Sequence, residues 1–256
     1  MLRIYANATN YIRVIRIIRR FAFLYMNERQ KKLLNLIINE HINTAEPVGS
    51  GFLVESTGLE LSSATVRNEM ADLEKEGFIY QPHTSAGRVP TEKGYQFFVD
   101  NFVEKRAIKA TWLKSFEQVL KGKLQNDQLL KQLAKEVVEL ADATVIVAFD
   151  KENIYYTGLS NLFKKPEFSE QNLIQDISEV IDHLDEEVAK IFDKINKVEI
   201  LIGKKNPFGN DCSSIIGKYQ LKDKKSGLFI ILGPKRMDYG KNLALVEYIR
   251  NSLIKI

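Results

Sequence analysis

Cysteine is nearly missing. Cys212 stands alone among 256 residues, which excludes an internal disulfide framework and any cysteine-based zinc cage. The three histidines, His41, His83 and His183, are too far apart in sequence to suggest a metal site. No run approaches the ~18 uninterrupted apolar residues of a membrane-crossing helix. Internal repeats and low-complexity tracts are lacking as well. Acidic residues are missing from residues 1–25, where Arg3, Arg13, Arg16, Arg19 and Arg20 stand. The formal net charge of +4, from 37 basic and 33 acidic side chains, is therefore a property of that segment. Without it the chain is slightly acidic, so whole-chain charge is no argument for nucleic-acid binding.

What is present is ordinary for a globular protein: 45% hydrophobic and 27% charged residues. The length suits two modest domains or one large one. Three readings fit residues 1–25: a basic amphipathic arm, a targeting segment, or an extension upstream of a working start at Met26. Asn27 is placed to N-cap the helix that follows, with Glu28 in its first turn.

Leu33, Leu34, Ile37, Ile38 and Ile42 predict a helix to about residue 42. Pro47 and Gly49 interrupt it. A short helix over Ser50–Ser56 is expected to bury Phe52 with Leu53 or Val54, and Gly58 ends it. Ser62 caps a third helix with Val66, Met70 and Leu73 inward, and Gly77 stops it. The β-prone Phe78–Tyr80 follows. Ser85-Ala86-Gly87-Arg88 reads as a hairpin tip in which Gly87 takes positive φ. Thr91 caps a helix through Tyr95, Phe98 and Phe102. Helix, helix, turn, helix, hairpin, helix is the plan of a winged helix-turn-helix, whose third helix can enter a major groove.

On that helix, Ala64, Thr65, Arg67 and Asn68 lie opposite the inner stripe. Arginine can read guanine, asparagine adenine, and a Thr or Ala methyl a thymine methyl. The bland alternative is a solvated face with Arg67 paired to Glu69 or Glu74. Ser63, at the start of the helix, and Ser85 and Arg88, in the hairpin, complete the candidate DNA-binding set; for Arg88 the alternative is a loop arginine tied to its own hairpin. His83 reads as structural, holding the turn. Between Met26 and Lys105, eight Lys/Arg face twelve Asp/Glu, so binding must come from a few clustered cations and depend steeply on salt.

Residues 111–141 are helical. Leu113, Phe116 and Leu120 share one face; Gln125-Asn126-Asp127 separates two helices, with Asn126 a candidate cap. Leu130, Leu133, Val137 and Leu140 form a short heptad-like stripe that suits either a dimer seam or an internal core. From Thr144 the pattern is mixed: strands at Val145–Phe149 and Ile154–Thr157 joined by a four-residue turn, one helix from 170 to about Phe192 capped by Ser169, and strands at Val198–Ile202, Ser213–Tyr219 and Gly227–Leu232. A closing helix covers Tyr239–Leu253.

Enzyme chemistry has no positive sign. Gly203–Gly209 lacks the Gly-Lys-Ser/Thr ending of a phosphate loop. Ser213 and Ser214 lack a nucleophile elbow, and Glu199, Asp211, Asp223 and Asp238 form no defensible pair. Cys212 is either a redox sensor or inert.

Two blocks carry a family resemblance. Ser62-Ser-Ala-Thr-Val-Arg-Asn-Glu-Met-Ala-Asp-Leu-Glu-Lys-Glu-Gly77 with Pro82-His-Thr-Ser-Ala-Gly-Arg-Val-Pro-Thr-Glu-Lys-Gly-Tyr95, preceded by Glu46-Pro-Val-Gly-Ser50, closely resembles the DNA-binding domain of the HrcA family of bacterial heat-inducible repressors. Tyr156-Thr-Gly-Leu-Ser-Asn-Leu162, Pro166-Glu-Phe168 and Gly233-Pro-Lys-Arg-Met-Asp-Tyr239 resemble motifs of that family's GAF-like C-terminal domain. The resemblance implies an α+β protein: a winged helix at 26–105, a helical linker with dimer contacts at 106–142 and a GAF-like regulatory domain at 143–256. It further implies a cytoplasmic bacterial repressor, needing no cofactor, that binds the inverted-repeat CIRCE operator of chaperone operons as a homodimer and is kept active by the chaperonin GroEL. The alternative is a winged-helix regulator whose C-terminal domain senses a small ligand. Family members are longer in the middle, in a region the family associates with dimer contacts and the regulatory domain's fold, where Phe149 is here joined to Ile154 by the short turn.

Overall fold

The structure is a computed structural model and describes residues 26–58, 60–122, 124–169 and 171–254. Residues 1–25, with their three readings, lie outside the described residues. The chain divides into two compact units, one ending at Asn101 and the other starting at Phe102.

The first unit contains α1 (Glu28–Thr44), α2 (Ser50–Thr57), α3 (Ser63–Lys75), β1 (Ile79–Tyr80), β2 (Val89–Pro90) and α4 (Glu92–Phe102). This is the winged helix-turn-helix order. Local polar bonds set the helix starts. Asn27 Oδ1 accepts from the Gln30 amide at 2.8 Å, and Gln30 answers to the Asn27 amide, closing a capping box. Ser62 Oγ accepts from the Thr65 amide at 3.1 Å, and Thr91 Oγ1 from the Gly94 amide at 3.1 Å. Leu34, Ile37, Ile38, Leu53, Val66 and Leu73 are fully buried. Phe52 is not: it is 47% exposed while Leu53 takes the inward position, because an eight-residue helix buries one narrow stripe.

The hairpin also differs from the sequence reading. Its turn closes through the Ala86 amide bonding to the His83 carbonyl at 2.9 Å, so the tip is Thr84–Ser85 and not Ser85–Arg88. Gly87 does not adopt positive φ. It lies instead on the return strand, where a Cβ would come within 2.5 Å of the Val48 carbonyl group. Close backbone approach is what excludes a side chain there.

The second unit comprises α5 (Ala110–Lys121), α6 (Asn126–Ala141), β3 (Thr144–Ala148), β4 (Ile154–Thr157), α7 (Leu159–Phe163), α8 (Gln171–Asp182), α9 (Leu184–Phe192), β5 (Glu199–Ile202), β6 (Cys212–Gln220), β7 (Ser226–Pro234) and α10 (Tyr239–Leu253). The strands form one antiparallel sheet in the order β4-β3-β7-β6-β5. On one face, Ile146, Ala148, Leu228, Ile230 and Ile216 join Leu162, Phe168, Ile177, Leu184 and Val188 in a single core. The alternation of a strand sends Val145 and Val147 to the other face, where α6 packs on β3 and α10 on β6 and β7.

The stripe on α6 is settled by this layering. Leu130, Leu133 and Val137 are at most 1% exposed within one chain and so form internal core, while Leu140 is half-buried. The α6 cap is Gln125, with Asn126 at the first helical position and no side-chain cap bond. The helix expected from 170 to Phe192 breaks at His183, whose backbone leaves the helical region. Leu184 and Val188 thereby turn into the core while Ile174 is left exposed. The β3–β4 turn is held by Asp150, whose Oδ1 accepts from the Glu152 and Asn153 amides at 2.8 Å each. These bonds, the Asn153 side-chain bond first, hold its carboxyl below the usual carboxylate range.

Cys212 is fully buried. Desolvation, with nearby Asp211 adding to it, pushes its thiol up to about 12. We therefore expect a water-soluble maleimide to label Cys212 at pH 8 only after denaturation. Rapid labelling of the folded protein would show that this strand opens readily.

Candidate nucleic-acid interface

The residues that face outward from α3 fall into two groups. Ser63 and Thr65 are engaged in building the motif. Ser63 Oγ lies 3.1 Å from Ser50 Oγ at the start of α2, and Thr65 Oγ1 lies 2.9 Å from the capping Ser62 Oγ. The first contact holds the start of α3 against the first turn of α2, and the second closes the cap of α3 itself. Ala64, Arg67 and Asn68 are exposed. Among the described residues, no side-chain hydrogen bond or ion pair engages Arg67 or Asn68.

The two acids named as alternative partners of Arg67 are occupied elsewhere. Glu69 pairs with Arg29 of α1 at 3.4 Å, and Glu74 pairs with Arg88 at 3.0 Å. Arg67 therefore presents its fork of donors on the outer face, within two turns of the α3 N-terminus, with no described acid paired to it. That is the arrangement that suits bidentate contact to a base edge.

Arg67, Ser85 and Arg88 border one cleft between α3, the wing and the turn before α2, together with Gly49, Gly51 and Thr84. Ser85 sits exposed at the wing tip, and His83 Nδ1 lies 3.3 Å from its hydroxyl. That contact, and the His83 carbonyl in the turn, fit the structural reading of His83. Arg88 lies elsewhere than the sequence reading put it. It follows the tip on the return strand, its main chain bonds reciprocally with Val48 at 2.9 Å, and its side chain is turned inward. The acid that holds it belongs to α3, not to its own hairpin. The sequence reading gave Glu74 to Arg67, whereas it pairs with Arg88, and it missed Gln81. Their signal is only that an acid ends α3 and an amide opens the wing, a juxtaposition made by tertiary folding.

A family model described as the HrcA protein C terminal domain matches residues 92–243. Among curated proteins, the chain is 28% identical to the heat-inducible transcription repressor HrcA of Natranaerobius thermophilus, over 89% of this chain and 96% of that one. It is 25% identical to the protein of the same name from Brevibacillus brevis, over 90% and 98%. The first alignment runs over 330 positions, more than this chain has residues, so the relative carries long segments with no counterpart here. A crystal structure of a hypothetical protein superposes with a TM-score of 0.69 at 22% identity, covering 90% of this chain and 98% of that chain; it shares the fold. No helix among the described residues is long and apolar enough to cross a membrane. With more than half of its length matched by the family model, and with relatives of one name aligned nearly end to end, the chain belongs to the HrcA family of heat-inducible transcription repressors.

Proposed function

We propose that this protein represses heat-shock chaperone genes by binding an inverted-repeat operator of the CIRCE type as a homodimer, with the chaperonin GroEL maintaining its active form. The observation that carries the DNA-binding part is the unengaged Arg67–Asn68 pair on the exposed face of α3, beside a wing whose tip presents Ser85. In this reading Ala64, Arg67 and Asn68 read bases. Ser63 and Thr65 fix the helix that reads, and Ser85 meets the sugar–phosphate backbone. An inverted repeat calls for two reading helices related by a two-fold axis, hence the dimer. The family supports the operator and chaperonin assignments. Because residues 26–105 carry eight Lys/Arg against twelve Asp/Glu, affinity rests on few cations and on two subunits acting together.

The deciding measurement is fluorescence anisotropy with an inverted-repeat chaperone promoter duplex and a scrambled duplex, at several salt concentrations. The operator is expected to bind at least ~10³-fold more tightly, with sedimentation showing two subunits per duplex. Added chaperonin should raise the fraction of protein competent to bind. Equal affinity for both duplexes would remove the repressor reading. A strict monomer, with and without DNA, would remove the dimer.

A second reading, in which the C-terminal unit takes a small ligand, is favoured by one cleft of about 480 Å3. Its apolar floor includes Phe168, Ile177 and Cys212, and Glu179, His183 and Asp211 also line it. A thermal-shift screen against metabolites tests it.

A further inference from the structure

We infer that Glu74 is the positioning residue that sets the wing on the reading helix, and that it withholds Arg88 from DNA; the second part rests on the DNA-binding function proposed above. The wing has little hold of its own. Its ladder is two pairs long, Ile79 with Pro90 and Tyr80 with Val89, and Pro90 has no N–H to give. Two-stranded ribbons of this kind do not fix their own orientation.

The main-chain bonds between Val48 and Arg88 hold only the returning side; Glu74, in the last turn of α3, reaches both sides. Its Oε1 accepts from the Gln81 amide at 3.0 Å, just after β1. Its Oε2 lies 3.0 Å from Arg88 Nε, just before β2. One carboxylate thus joins the outgoing and returning strands to the reading helix. Gln81 carries the restraint to the tip: its Nε2 donates to the Thr84 and Ala86 carbonyls at 2.9 Å each.

The contact with Arg88 has the geometry of an ion pair rather than a hydrogen bond, since its buried Nε–H finds no hydrogen-bond acceptor among the described residues. Charge alone holds it. The Arg88 side chain is 16% exposed as a result, against 34% for Glu74. A phosphate cannot approach Arg88 without meeting the Glu74 charge as well, so the pair presents little net charge to DNA.

Two substitutions separate the roles. Glu74→Ala removes both restraints. Glu74→Gln keeps an oxygen for the Gln81 amide and removes the charge that holds Arg88. The first measurement is amide hydrogen exchange on the free, full-length protein. Glu74→Ala should speed exchange at Gln81 and Arg88 by at least tenfold and leave the Val66–Met70 amides unchanged; Glu74→Gln should restore protection at Gln81. The second is the salt dependence of binding. Glu74→Gln should steepen the slope by about one unit per subunit, as a freed arginine joins the phosphate contacts. Adding Arg88→Ala should cancel that gain.

Unchanged wing exchange in Glu74→Ala overturns the positioning role. A Glu74→Gln slope equal to that of the wild type overturns the withholding of Arg88. Exchange is read without DNA, so if the wild type itself prefers no operator, the repressor function and the withholding role fall while the grip of Glu74 on the wing is still decided.

Discussion

Arg67→Ala is expected to cost about 1–3 kcal/mol of operator binding per half-site, and up to twice that for a dimer on an inverted repeat. The loss should concentrate at one base position of each half-site. Binding to a scrambled duplex should weaken far less, because only charge is lost there. The melting temperature should not move, since Arg67 is exposed and no described residue pairs with it. Anisotropy titrations against operator and scrambled duplex, with thermal unfolding alongside, check both halves. Wild-type affinity for both duplexes would mean that α3 does not read the operator.

The second large effect lies away from the reading face. Gly87→Ala is expected to detach the returning strand of the wing. The new Cβ would lie 2.5 Å from the main-chain carbon and oxygen of Val48 and 2.7 Å from the Pro47 carbonyl carbon. None of these atoms can rotate away as a side-chain tip can. The strand must shift, and the paired main-chain bonds between Val48 and Arg88 go with it. Overpacking of this kind costs about 1–3 kcal/mol, and each lost bond about 1 kcal/mol more. Operator affinity should fall by more than an order of magnitude and the first unit should melt earlier. Gly87→Asn distinguishes the cause. Asparagine tolerates positive φ, so it would be accepted if φ were the requirement; here it should fail as alanine does. Near-wild-type binding and melting by both variants would show that the approach to Val48 is not limiting.

Features enforced within a few residues were legible in the sequence. The caps at Asn27, Ser62 and Thr91 and the inner stripe Val66, Met70, Leu73 all stand where spacing put them, because each depends on bonds or periodicity inside one turn or two. The strands of the second unit stand within a residue or two of their expected ends for the same reason. What was illegible depends on partners far along the chain. Phe52 and Leu53 are neighbours of equal hydrophobicity, and only the packing of α2 on α3 chooses between them. The break at His183 has no glycine or proline to announce it. On α6 the stripe has the same spacing whether it faces a second chain or its own sheet; burial beneath β3 decides. At the interface, the type and face of Arg67 and Asn68 were readable. The inward turn of Arg88 was not, since its acid lies on another element.

The Asp150 turn has a consequence for how much chain this edge of the sheet can carry. Ala148 and Ile154 are already paired across the hairpin, so the chain leaves and re-enters the sheet at points about 5 Å apart. Strand register and side-chain alternation, not the tip, fix the sheet at this edge. A module whose own ends lie side by side can therefore be spliced in at the Asp150 turn, or removed from it, while the layers beneath stay as they are. The β3–β4 hairpin is in this sense a socket. It is a rational place to graft a reporter domain onto the second unit.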